Sequence, residues 1–220
     1  MRKTLFLLLP FAVAGALMGA LWGRQLAEAA LPAPGSHGAW YASRSAGIAS
    51  YLFLWLGLAG GLAMSSAWFD GVVGRAKLLA IHQSASIAGV LLGFAHALVL
   101  IPDGWTSFGV LDVLVPFGSY YERTGTGIGS LSLYLAAVVT ASFWFRRRIG
   151  TKAWKWLHYS SFAAWLGGLY HGIRLGTDSA EPWLLGIYFL TALAVVFALV
   201  VRLTYVREVK KRPAVGASVA

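Results

Sequence analysis

Apolar residues run along this chain in long blocks, not in the alternation of a half-buried strand or the narrow stripe of a surface helix. The blocks cover about residues 4–23, 45–69, 78–101, 128–145, 154–173 and 183–205. About 20 apolar residues cross the hydrocarbon core of a bilayer as a helix. Polar punctuation separates the blocks: Pro32, Pro34, Gly35 and Ser36, then DGVVGRAK, then Pro102, Asp103 and Gly104, then RRRIGTKAWK, then Asp178, Glu181 and Pro182. The pattern predicts an all-α integral membrane protein, a six-transmembrane-helix bundle forming one membrane domain over residues 1–220. Residues 206–220 read as a polar tail. Pro10 should kink or weaken the first block. A signal peptide is the rival reading there, but the apolar run is longer than a usual signal core, which favours a span. Residues from Trp105 to Gly129 are too broken to span. They are predicted to lie along the interface, with Trp105, Tyr120 and Tyr121 at headgroup depth.

Composition strengthens the membrane reading. The chain is 58% hydrophobic and 12% charged, against about 25% charged in a soluble domain, and its mean hydropathy is +0.68. Cysteine is absent, which excludes disulfides, thiolate catalysis and Cys-ligated iron–sulfur clusters and leaves histidine as the obvious iron ligand. A formal charge of +10 would suggest nucleic acid in a soluble protein. Here it reads as loop charge that sets topology, and no nucleic-acid partner is expected. Six spans put both termini on one side, and 14 of the 18 Lys and Arg residues fall there. Arg24, Arg44, Arg123 and Arg174 fall on the other side. The positive-inside rule then places both termini in the cytoplasm, with the protein in the inner membrane.

The candidate chemistry lies in the histidines. Of five, His37 sits in a Gly-Ser-His-Gly turn and reads as an exposed loop residue. His82 and His96 are 14 residues apart on the third block, and His158 and His171 are 13 apart on the fifth. Fourteen residues rise about 21 Å and return to within about 40° of the starting direction, so one helix face presents both imidazoles at two depths. Thirteen residues leave the rings about 140° apart on an ideal helix. The fifth helix must therefore be tilted, over- or under-wound, or use different flanks. Gly167, Gly168 and Gly172 could permit such a distortion.

The third and fifth helices run in the same direction, so depth pairs His82 with His158 and His96 with His171. A lone intramembrane histidine is often hydrogen-bonded structure or part of a proton path. Four in depth-matched pairs favour ligation. A metal bound directly by side chains wants a compact cluster, and proton relays usually include acids, which the predicted helix cores lack. Two b-type haems, one between each pair, fit best, with all four histidines as iron ligands. Arg75 and Lys77 before His82, and Arg174 after His171, could hold the haem propionates. Arg44 and Arg123 could also approach the outer haem. Interfacial anchoring explains each of these cations as well. Trp165 and Phe94 fall between the histidine depths, and Gly89 and Gly93 could make room for a porphyrin or simply for helix packing.

This pattern resembles the ferric reductase-like transmembrane domain shared by ferric reductases and NADPH oxidases. The carriers are the 14 and 13 spacings and the stretch RRRIGTKAWKWLHYSSFAAWLGGLYHG. The likeness covers roughly residues 48–205 at the architectural level. It implies bis-histidine haem b at His82/His158 and His96/His171, and electron transfer from cytoplasm to outside. Many members append a flavin and nicotinamide domain after the sixth helix. This sequence shows no GxGxxG loop and ends some fifteen residues beyond its sixth block. The expected donor is therefore a flavoprotein, a bound flavin (FMN or FAD) at the cytoplasmic side, or a quinol. Acceptors to consider are ferric chelate, oxygen or a periplasmic redox partner. Two other readings compete. One is a haem-bearing, quinol-oxidising membrane subunit of a periplasmic reductase, such as a methionine-sulfoxide reductase. The other is a non-redox transporter or assembly factor.

Overall fold

The computed structural model describes residues 38–66, 74–101 and 108–211. They form seven helices: α1 Gly38–Ser66, α2 Arg75–Leu98, α3 Val110–Leu114, α4 Arg123–Ile149, α5 Thr151–Tyr159, α6 Ser161–Leu175 and α7 Pro182–Lys211. No strand occurs among the described residues. Four helices are long and apolar enough to cross a membrane: α1, α2, α4 and the Pro182–Val206 part of α7. The hydropathy pattern predicts six. The first of these, with His37 and Trp105, lies outside the described residues. The fifth is divided into α5 and α6, each too short to span alone.

Several helix ends extend beyond the hydropathy blocks, although α2 stops at Leu98, short of 101. α1 starts at Gly38, seven residues before the expected start at 45. α4 starts at Arg123 where 128 was expected, and runs on to Ile149. α7 continues to Lys211, through a segment expected to be a loose tail. Hydropathy marks the part of a helix that sits in hydrocarbon. The backbone hydrogen-bond ladder continues outward until a breaker stops it, because leaving it unpaired near lipid is costly. The segment expected to be irregular contains the short α3 followed by turns, with Phe117 at φ 63° and Glu122 at φ 40°. Tyr120 there is fully exposed.

α1 packs along α2, α4 along α6, and α7 against α1. One buried cluster joins Tyr51, Leu58 and Leu62 of α1, Trp165 of α6, and Leu184, Tyr188 and Val195 of α7. A second joins Val90, Ala136 and Ala164. Small and polar residues bring the backbones close, as expected where lipid removes the hydrophobic drive between helices. Ser50 Oγ donates to the Gly89 carbonyl at 2.7 Å, Trp55 Nε1 donates to the Thr191 carbonyl at 3.1 Å, and Tyr51 and Thr191 share a hydroxyl–hydroxyl bond of 2.5 Å. A methyl at Gly57 would meet Ser86 Oγ at 2.6 Å. The outer faces are apolar: Phe189 is 68% and Leu91 63% exposed. Such surfaces suit lipid and would be a liability in water.

Candidate functional site

α2 is a continuous helix, so His82 and His96 share one face. The helix that carries His158 and His171 is interrupted between them. Ser160 has φ −65° and ψ −8°, its N–H bonds the Leu157 carbonyl at 3.2 Å, and its Oγ donates to the same carbonyl at 2.6 Å. An i→i+3 turn is tighter than an α turn, about 120° per residue against about 100°. Over-winding has the sign needed to close the 140° shortfall of a 13-residue spacing. One such turn adds about 60°, so the turn at Ser160 accounts for part of the difference.

The histidines then meet in two pairs. The ring centres of His82 and His158 are 5.9 Å apart at an interplanar angle of 73°. Those of His96 and His171 are 5.9 Å apart at 83°. Two imidazoles ligating one iron would have centres about 6 Å apart, from about 2 Å per metal–nitrogen bond plus the distance from nitrogen to ring centre. That distance also suits an edge-to-face contact. The hydrogen bonds add what the distance lacks. His82 Nδ1 lies 2.7 Å from the Gly57 carbonyl, His96 Nδ1 2.8 Å from the Ser43 carbonyl, and His171 Nδ1 2.9 Å from the Gly125 carbonyl. A carbonyl only accepts, so each Nδ1 carries the proton in the neutral ring. Nε2 is then left with a free lone pair. Metal-ligating histidines are typically held this way. Ser43 adds a second grip on His96, with Oγ 2.9 Å from Nδ1 and donating to the His96 carbonyl at 2.9 Å. His158 is held differently: its ring stacks on Trp154 at 4.9 Å and 20°.

Glycines make these grips possible. A methyl at Gly47 would lie 2.9 Å from His96 Nδ1, and one at Gly129 would run into the His171 ring. At Gly61 it would stand 3.4 Å from His82 Cε1. Gly168 faces open space. It lines a cavity of about 240 Å³ beside His96 and His171, together with Phe94, Trp165, Tyr188 and Arg44. Arg44 pairs with Asp178 at the rim and lies over the Tyr41 ring at 5.6 Å.

No family model, no curated protein and no solved structure matches this chain. The site must be read from its own geometry.

Among the described residues, no group of three or more His, Cys, Asp or Glu side chains could hold a metal ion. The histidines come together there in pairs. A haem brings four nitrogens of its own and takes two axial ligands, which is the donor set each pair offers. Other expected residues scatter. Arg75 and Lys77 are exposed on the first turn of α2. Arg174 is exposed, 3.4 Å from Glu122, and does not line the cavity. Arg123 Nε donates to the Phe117 carbonyl at 2.7 Å. Gly89 and Gly93 pack against Leu54 and Leu133, and Gly167 against Ser132; Gly93 also lines the cavity. Ser43, Gly47, Gly57, Gly125, Gly129 and Trp154 were not singled out from the sequence. The GTGIG run was the one available signal, and it reads as loop until α4 is seen to begin at Arg123.

Proposed function

We propose that this chain is a di-haem b electron-transfer protein, ferric reductase-like, that carries electrons from the cytoplasm to an acceptor outside. Its six-span bundle sits in the inner membrane with both termini cytoplasmic. The observation that carries this reading is the repeated arrangement: two histidine pairs with the same 5.9 Å ring spacing, three of the four rings tied through Nδ1 to a carbonyl of a neighbouring helix. A bound haem would supply a one-electron iron couple, which no side chain of this chain supplies.

His82 and His158 hold the inner group, and His96 and His171 the outer one. With two histidines as ligands, a haem bound there would carry electrons with no coordination site left for oxygen. Gly168 lets the outer group approach α6. Trp165 and Phe94 border the cavity beside the outer pair. Arg44 is the cation best placed for an outer propionate, because it lines the cavity. Arg75 and Lys77 stand on the cytoplasmic side of the inner pair, and Arg174 on the outer side. Lipid is the surrounding partner. The donor is a flavoprotein, a flavin bound at the cytoplasmic face, or a quinol, and a ferric chelate, oxygen or a periplasmic redox protein takes the electron.

The test is a reduced-minus-oxidised absorbance spectrum of the purified protein with haem quantified per chain. About two b-type haems are expected. His82→Ala and His171→Ala should each fall to about one, losing the inner and the outer haem respectively. A folded wild-type chain without haem would sink the proposal.

A further inference from the structure

Among the described residues, two buried side-chain polar atoms have no hydrogen-bond partner: Nε1 of Trp154 and Nε1 of Trp165. A buried N–H without an acceptor is costly, and in a native protein it calls for a specific explanation. The two differ in their surroundings. Trp165 stacks with Tyr51 at 6.1 Å and borders the cavity beside His96 and His171, away from the exposed cations. Trp154 lies one turn before His158, its indole stacked on that imidazole. Lys152 and Lys155 flank it on α5, and Arg146, Arg147 and Arg148 end the preceding helix. Its N–H is shut off from water and headgroups, next to the ligand pair, on the side of the bundle that bears the cations. A group held between His82 and His158 would abut the Trp154 ring through its stack on His158, and the exposed cations nearby suit an anionic acceptor.

We infer that Trp154 Nε1–H donates a hydrogen bond to a carboxylate of the group held between His82 and His158. The inference rests on the haem reading and assigns to one residue the recognition of an inner propionate. Stacking alone would also be met by phenylalanine; the hydrogen bond would not.

Haem-free full-length protein in lipid nanodiscs, wild type and Trp154→Phe, is titrated with haem b and with haem dimethyl ester, whose carboxylates are blocked. Trp154→Phe should weaken inner-site binding of haem b about tenfold, the size of one hydrogen bond to a charged group. The midpoint potential of the inner haem should shift while that of the outer haem holds. With the dimethyl ester, whose neutral carbonyl still accepts a hydrogen bond, the loss should shrink to a few-fold at most. Equal loss with both ligands, or no loss with either, overturns the inference while leaving the haem reading intact. Loss of both haems together in Trp154→Phe also overturns it, because the ring would then be structural. A wild-type chain that takes up no haem removes the haem reading, and the inference falls with it.

Discussion

At the scale of single residues, the histidines are the visible chemistry, and the glycines opposite them decide whether that chemistry is held. Gly129 illustrates this. A methyl there would overlap His171, with Cε1 and Cγ both 2.8 Å away. The ring would have to leave the Gly125 carbonyl that sets its tautomer. Overpacking of this kind costs about 1–3 kcal/mol. Gly129→Ala should therefore lower the thermal midpoint and release the outer haem, leaving the inner one in the spectrum. Gly186 is the matched control, a helical glycine with nothing within 4 Å of the added methyl. Gly186→Ala should keep both haems and stabilise by up to about 1 kcal/mol, the helix-propensity gain. Equal haem loss in the two variants would show that His171 does not need its close approach to α4.

At the scale of elements, the interruption between α5 and α6 is the informative feature. Both pairs show the same ring spacing, although their helices carry unequal residue spacings of 14 and 13. α2 needs no correction, and it shows none. The other helix carries a tight turn at Ser160, just after His158. One alanine inserted between Ser160 and Ser161 should rotate His171 by about 100° relative to His158 and advance it about 1.5 Å. Haem per chain should fall from two to one, the inner one being retained. Two haems with unchanged spectra would mean that the phase between the ligands is set elsewhere. The early start of α1 belongs to the same scale: its first turns carry Ser43, which grips His96, and Arg44, which lines the cavity.

At the scale of the whole molecule, lipid is the solvent for most of the surface and the ends carry the asymmetry. Apolar side chains such as Phe189 and Leu190 stand more than 60% exposed, while the cations gather at one end: Arg146, Arg147, Arg148, Lys152 and Lys155 surround the α4–α5 corner and are all exposed. An excess of Lys and Arg near helix ends sets orientation through the positive-inside rule. A reporter fused after residue 220 should therefore read as cytoplasmic, and a cysteine placed at Tyr120 should react with an impermeant reagent from outside. The reverse labelling would invert the direction of electron flow proposed above.

Hydropathy and spacing were enough for an all-helical membrane protein and for four histidines at two depths, because lipid imposes long apolar runs and helix geometry imposes a fixed rise. The same arithmetic showed that a 13-residue spacing on an ideal helix turns the two rings about 140° apart. Where the correction sits, which carbonyl holds each Nδ1, and which glycines admit the rings were decided only in the folded chain. Those are contacts between residues tens of positions apart, such as His96 with Ser43 or His171 with Gly125. Local pattern carries no record of them, because a glycine in the GTGIG run looks the same whether it turns a loop or makes room for an imidazole.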